Sequence, residues 1–292
     1  MVFEKAYAKL NLFLDVEGKR PNGYHDLVSV MQTVDWFDEI YIDKSVSSET
    51  VILTNSDNIP NGKDNIAYRA ATKYLDAISE RVGVTIDIRK NIPVAAGMAG
   101  GSADAAAVLR GMNRLFGNKL SLDALLEIGA SIGADVPFCL VGGTKMVRGI
   151  GEEMIFCESD FPDCTILCAK LGEGIFTQEA YRLLDERYND FQERTPRNQM
   201  LSVLLEGMKK QSVGEAAKGF FNVFEDVIQE LRPCVLEAKQ IMIKHGALVA
   251  MMSGSGPSVF GIFEKVDEAN KALLMLLSKG AAAKVCRPIA FD

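Results

Sequence analysis

Histidine is scarce in this 292-residue chain, which holds only His25 and His245. None of its six cysteines stands in a Cys-x-x-Cys pair. A structural zinc module draws on closely spaced cysteine and histidine ligands, so none is expected. Cys164 and Cys168 are the tightest pair. Their spacing inside an apolar run reads as two buried packing residues on one face of a strand. Scattered cysteines without a pairing framework fit a reducing compartment. Long apolar runs are missing too. Glu4, Lys5 and Lys9 interrupt the N-terminal segment, so no signal peptide is expected. The uncharged stretch 246–263 carries glycines, serines and Pro257, and reads as strand–loop–strand instead of a membrane span. Nor is there an excess of positive charge: 32 Lys and Arg stand against 39 Asp and Glu, a net charge of −7. Duplex nucleic acid and anionic membranes both reward a basic surface, so neither is expected as a partner. These absences leave a soluble, cytoplasmic protein as the expectation. A small anionic ligand stays open, because a few local donors can hold one.

Hydrophobic residues make up 48% and charged residues 24%, the balance of an ordinary globular protein. At roughly 100–200 residues per domain, the length implies two domains or one large one. The polar stretch 158–163 places the boundary, giving residues 1–160 and 161–292.

The first part reads as β-rich. Strands are expected at 8–16, 27–34, 36–43 and 50–54, with a Pro-Asn-Gly turn at 19–23. Apolar residues at helical spacing predict a helix over 64–81, and clean alternation at Val84, Ile86 and Ile88 predicts a strand. An Ala-rich helix follows the small-residue loop at 93–107, and Ser121 is a candidate N-cap for a helix over 122–132. Strands are expected after Asp135, through the glycines 142–143 and 149–151. The second part predicts helices at 177–190, 198–210, 213–230, 233–245 and 267–278, with strands at 248–252, 259–263 and 281–288.

Four features carry candidate chemistry. The loop Pro93-Val-Ala-Ala-Gly-Met-Ala-Gly-Gly-Ser-Ala103 feeds a helix, and the free amides and macrodipole of a helix start favour anions. Gly97, Gly100 and Gly101 lack a Cβ and can take positive φ. Ser102 offers a hydroxyl in the first turn. Tight helix–sheet packing explains such a loop equally well, and neither the Walker A nor the Rossmann pattern is present. Asp135, between apolar segments, is either a cap or a site residue. Lys9 and Asn11 share one face of an apolar strand. Lys9 there either faces solvent at an edge or points into a site, since burying it alone is costly. Finally, Tyr24-His25 follows a Gly turn, and Ser253-Gly-Ser-Gly-Pro-Ser258 is a second Gly-rich loop that also reads as a tight hairpin.

Taken in order, Ala-Tyr-Ala-Lys-Leu-Asn-Leu (6–12), the loop 93–107 and Ser-Gly-Ser-Gly-Pro-Ser-Val-Phe (253–260) resemble the three motifs of the GHMP kinase superfamily. The turn Arg-Pro-Asn-Gly-Tyr-His-Asp-Leu (20–27) resembles the branch acting on cytidine-diphosphate-linked methylerythritol, in non-mevalonate isoprenoid synthesis. The resemblance runs almost end to end. It implies a mixed α/β fold of two domains, the N-terminal one like ribosomal protein S5 domain 2 and the C-terminal one ferredoxin-like. It implies an ATP-dependent kinase using Mg²⁺. Lys9 and Asp135 would be catalytic. Asn65, Lys90, Pro93, Val94, Ala95, Ala96, Gly97, Met98, Ala99, Gly100, Gly101, Ser102 and Ala103 would hold the nucleotide, with Ser102 also facing the metal. Asn11, Tyr24, His25, Thr177 and Tyr181 would bind the acceptor, His25 at the edge of the cytosine and the two tyrosines on its faces. Met98 stands where the family usually has Leu, a volume-conserving change. Phe176 stands where a small Ser is usual. Other acceptors of the superfamily (mevalonate, phosphomevalonate or homoserine) and a non-catalytic nucleotide-binding paralogue are the alternatives. Either a monomer or a homodimer fits.

Overall fold

The computed structural model describes residues 1–188, 191 and 197–291. The chain packs as two compact units, each drawn from separate stretches. The first comprises Met1–Ala8, Trp36–Val94 and Ala99–Gly142, and the second Lys9–Asp35, Ala95–Met98 and Gly143–Asp292.

The chain opens with two long strands, β1 (Val2–Lys19) and β2 (His25–Lys44), joined by the expected turn, in which Arg20 and Tyr24 pair through their backbones. The sequence predicts two strands across 27–43, but β2 is continuous. Asp35, which reads as an interruption, stays extended because its amide donates to the Arg287 carbonyl and its carboxylate accepts from the Arg287 amide. β3 (Val51–Thr54), α1 (Ile66–Ala77) and β4 (Val84–Arg89) follow as expected. Then come α2 (Gly100–Leu115) and α3 (Leu122–Ala130), the latter capped by Ser121.

The next segment differs from expectation. Residues after Asp135 form a short helix, α4 (Val136–Val141), where the sequence predicts a strand. A short apolar run does not by itself distinguish a buried helix from a buried strand. Pro137 near the start and Gly142 at the end, with φ 65°, decide it for the helix.

β5 (Thr144–Gly149), β6 (Glu153–Phe156) and β7 (Thr165–Lys170) lead to α5 (Thr177–Arg187) and α6 (Asn198–Lys209). The last residues of the expected helix 177–190 lie outside the described residues. The single helix predicted at 213–230 is three elements: α7 (Val213–Ala217), the two-residue β8 (Phe221–Asn222) and α8 (Glu225–Leu231). Gly219 breaks it, since a Cβ there would meet the Leu204 backbone nitrogen at 2.3 Å. Asn222 holds the break: its amide donates to the carbonyls of Met252 and Gly254, and its oxygen accepts from the Phe224 amide. α9 (Pro233–Lys244), β9 (Val249–Met252), β10 (Val259–Phe263), α10 (Val266–Ser278) and β11 (Ala282–Cys286) close the chain.

Strand pairing runs β3-β4-β2-β1-β8, with β5 and β6 branching from β2. In the first unit, residues 39–44 of β2 pair antiparallel with β4, and β3 lies parallel to β4. Helices α1, α2 and α4 pack through the alanine face of α2, with Ala103, Ala106 and Ala107 buried. In the second unit, residues 27–32 of β2 pair with β5, and β8 lies parallel to β1. The other sheet, β11-β7-β10-β9, is antiparallel and carries α9 and α10. Its core gathers Leu167, Met242, Met252, Phe263 and Leu276. Cys168 is buried there as expected, while Cys164, just before β7, is half-buried. Among the described residues no helix is long and apolar enough to cross a membrane.

Asn222 satisfies two buried carbonyls at once. Asn222→Ala should therefore lower the unfolding free energy by roughly 1–3 kcal/mol, the cost of stranding buried acceptors. Urea unfolding checks this, and an unchanged midpoint would show that these bonds contribute nothing.

Candidate active site

The loop between β4 and α2 reaches the helix without a side-chain cap. Ala99 occupies the N-cap position in the left-handed region, φ 55° and ψ 30°, and the first turn holds no acidic residue. The leading amides of α2 are therefore neither capped by a side chain nor opposed by a carboxylate in that turn, the condition that favours an anion. Among the glycines expected to take positive φ, only Gly97 does, at 73°. Ala95 and Ala99 adopt it instead, at 51° and 55°. Gly100 and Gly101 are already helical, and a Cβ on Gly100 would lie 3.3 Å from the Lys90 ammonium. Ser102 lies in this first turn, and a Cβ on Gly133 would stand 3.9 Å from its hydroxyl. The α2 start and the segment leading to Asp135 are thus neighbours within the first unit.

Asp135 sits at the N-cap position of α4, but its side chain makes no capping hydrogen bond. Of the two readings open for this carboxylate, the geometry removes the cap. The junction is helix to helix, not helix to strand.

Lys90 and Asn65 are committed within the protein. The Lys90 ammonium bonds Asp38 and, at 2.7 Å, Asp104. The other oxygen of Asp38 accepts from the amides of Asn91 and Ile92. Burial works to lower the Lys90 pKa, but the two carboxylates outweigh it and raise it. Burial pushes the Asp104 carboxyl up to about 8 despite Lys90, and its Oδ1 has no hydrogen-bond partner. Asp38 and Asp104 are missing from the sequence reading. Their one signal is a charged residue inside an otherwise apolar strand or helix face. Asn65 caps α1, accepting from the Ala67 amide and donating to the Pro60 carbonyl.

In the second unit the motifs meet through backbone. The Ser253 hydroxyl donates to the Gly97 carbonyl, the Ser258 amide to Ala96, and the Lys9 amide to Met98. A Cβ at Gly97 would sit 2.2 Å from the Ser253 oxygen, so no other residue fits. Lys9 is 5% exposed, which removes the solvent-facing alternative. Its ammonium donates to Asn11 at 2.6 Å, and the Asn11 amide group donates to Ser29 at 2.8 Å.

Of the remaining expected residues, Tyr181 meets His25. Its ring stacks on Tyr181, with centroids 4.6 Å apart. Its Nε2 lies 2.6 Å from Asp185, which the sequence reading lacks. Tyr24 is apart from this stack in character: it is 58% exposed. Thr177 meets Ser255 hydroxyl to hydroxyl at 3.3 Å. Phe176 is 78% exposed, so its bulk stands mostly in solvent.

Residues 65–143 match the GHMP kinases N terminal domain family, and residues 204–282 match the GHMP kinases C terminal family. A 4-diphosphocytidyl-2-C-methyl-D-erythritol kinase of Caldicellulosiruptor saccharolyticus is 46% identical over 92% of this chain and 90% of its own length. The chain belongs to the GHMP kinases. Relatives carrying the same name in Alkaliphilus oremlandii and Clostridium perfringens are 43% and 42% identical, over 93% and 94% of this chain and 91% and 93% of theirs. The crystal structure of a 4-(cytidine 5'-diphospho)-2C-methyl-D-erythritol kinase superposes with a TM-score of 0.81 at 29% identity, covering 99% of this chain and 100% of that one. A homoserine kinase from Cytophaga hutchinsonii, at 18% identity and TM-score 0.74 over 99% of this chain and 95% of that one, shares the GHMP kinase fold. The mixed α/β, two-domain architecture implied by the motifs is therefore present.

The raised Asp104 carboxyl has a definite pH signature. Its contribution to stability is full when protonated and is lost as pH rises from its ordinary 3.8 through about 8. Asp104→Asn mimics the neutral form. The stability of the unaltered protein relative to this variant should fall as pH rises from about 6 to about 9, followed by urea unfolding. A difference independent of pH would mean that Asp104 is ionised throughout.

Proposed function

We propose that this GHMP kinase transfers the γ-phosphoryl group of ATP to a hydroxyl of 4-diphosphocytidyl-2-C-methyl-D-erythritol. The observation that carries this is identity of 40% or more, over nearly the whole chain, to relatives that bear that name. A division near residue 160 keeps the two matched families on either side, although the compact units interleave and the second also takes residues 9–35, 95–98 and 143–160. The enzyme acts in the cytoplasm on a small molecule, as a monomer or homodimer.

Phosphoryl transfer needs positioning and charge neutralisation more than covalent help from the protein. The uncapped amides at the start of α2, with the loop from Pro93 to Ala103, suit the phosphates of ATP. Asp135, whose side chain leaves α4 uncapped, accepts the hydroxyl proton as general base. The buried Lys9 ammonium offsets negative charge on the transferred group, and Asn11 orients it. Lys90 and Asn65 support the nucleotide side through the α2 and α1 starts. His25 reads the edge of the cytosine. Tyr24, Tyr181 and Thr177 contribute the surrounding surface.

Mg²⁺ is commonly held by one or two protein oxygens together with substrate phosphates. Among the described residues no three His, Cys, Asp or Glu side chains group as a metal site. Ser102, in the first turn of α2, would supply the protein oxygen for such an ion, which would contribute charge neutralisation beside the phosphates.

A coupled kinase assay over a panel of alcohols tests the proposal. The cytidine-diphosphate-linked methylerythritol should turn over, and mevalonate, phosphomevalonate and homoserine should not. Comparable turnover of one of those would overturn the acceptor. Asp135→Asn should lower kcat by about 10²–10⁴ with ATP affinity retained by calorimetry. A variant within a few-fold of the unaltered enzyme would remove Asp135 as the base.

A further inference from the structure

His25 opens β2 and is 8% exposed. Two aromatic rings meet it, Tyr181 stacked on it and Phe191 edge-on at 5.7 Å, and Phe224 backs Tyr181 edge-on at 4.9 Å. Among the described residues, the charged groups hydrogen-bonded to His25 or to its carboxylate partner are Asp185 and Lys19. Asp185 Oδ1 lies 2.6 Å from His25 Nε2, and Oδ2 accepts from Lys19 Nζ at 2.6 Å. Both carboxylate oxygens are therefore engaged. Tyr181 and Asp185 are four residues apart on α5, so one turn of helix supplies both the stacking face and the carboxylate. Burial alone would raise the Asp185 pKa, but the bonds from Lys19 and His25 outweigh it and hold the carboxyl below its ordinary value.

An ionised carboxylate only accepts hydrogen bonds, so the hydrogen of a neutral His25 ring must sit on Nε2. Nδ1 is then an acceptor. Among the described residues no donor reaches it. The buried ring thus has one unused polar atom, and that atom can bond only to a donor.

We propose that Asp185, itself pinned by Lys19, is a positioning residue that locks His25 as the Nε2–H tautomer, so that Nδ1 selects an amino-bearing pyrimidine, cytosine, against the carbonyl-bearing uracil. This rests on the cytidine-linked acceptor proposed above. An amino group donates to Nδ1. A carbonyl at the same place sets acceptor against acceptor, the arrangement by which a hydrogen-bonding site rejects a close analogue.

The test reads tautomer and selectivity separately. With only two histidines in the chain, ring ¹⁵N spectra of the histidine-labelled protein resolve both. His245 is an internal reference of the opposite kind, because its Nδ1 lies 2.8 Å from the Ile241 carbonyl and must carry the hydrogen. The spectra are followed with rising pH until neither ring's signals change further. His25 should show hydrogen on Nε2. Asp185→Leu should release it to a tautomer mixture. In Asp185→Asn, a near-isosteric change, Lys19 retains the amide oxygen and the NH₂ turns to His25, moving the hydrogen to Nδ1. In parallel, the preference for the CDP-linked over the UDP-linked alcohol, taken from the ratio of kcat/KM, should fall about tenfold or more in both variants. The loss should fall on the acceptor KM, with the KM for ATP unmoved. The inference is overturned if His25 carries its hydrogen on Nδ1 in the unaltered protein, if Nε2–H persists in both variants, or if the tautomer changes while the base preference does not. If the tautomers follow Asp185 as stated but neither pyrimidine-linked alcohol is phosphorylated, the acceptor reading fails instead, and base selection falls with it.

Discussion

The contact between the Gly97 and Ser253 backbones sets the geometry on which the rest of the second unit's site is built. A Cβ at 97 would lie 2.2 Å from the Ser253 carbonyl oxygen, and one at Gly254 would lie 2.8 Å from the Gly97 oxygen. Two chain segments more than 150 residues apart are pressed together closer than any side chain allows. The Ser253 hydroxyl then serves twice, donating to Gly97 and accepting from the amide of Asn11. Asn11 in turn receives the Lys9 ammonium. One close backbone approach therefore fixes the height of the loop against β1 and the direction of its lysine. The glycines of the first and last loops are explained by this approach as much as by any ligand.

The first unit solves a different electrostatic problem. Lys90 is buried directly below the first turn of α2 and is matched by two carboxylates. Two negative groups around one ammonium leave an excess, and burial resolves it by keeping a proton on Asp104 to about pH 8. The ammonium is held so close to Gly100 that a side chain there would press on it at 3.3 Å. The glycine at the head of the helix thus makes room for a buried charge, where a phosphate oxygen was the simpler expectation. The first turn itself keeps its amides clear of acidic side chains. Buried charge compensation and an anion-favouring helix start occupy successive layers of the same few residues.

Secondary structure was legible wherever local rules acted alone. The cap at Ser121, the turn at 19–23, and the strands β4 and β10 followed from spacing and capping chemistry. Errors came where a distant partner overrode the local signal. Asp35 reads as a break, but Arg287 holds it in a strand. Residues 213–230 have helical spacing, yet Asn222 is drawn into a strand pair by carbonyls thirty residues away. The segment after Asp135 reads as a strand, but Pro137 at its start and Gly142 at its end belong to a short helix.

The amino-acid sequence by itself determined the family. Three ordered motifs and a Tyr-His turn specify residue types whose chemistry suits phosphate, proton transfer and base recognition, and motif identity needs no coordinates. Their pairing belongs to the tertiary structure. Hydrogen bonds and ring contacts depend on direction, and direction depends on which strands and helices become neighbours. Lys9 and Asn11 were paired in advance because strand periodicity alone puts them on one face. Asp185 was invisible, since nothing near it in sequence marks it apart from the other charged residues of an exposed helix. Only the packing of α5 against the start of β2 brings its carboxylate to His25 Nε2 and decides which nitrogen of that ring is left to meet a ligand.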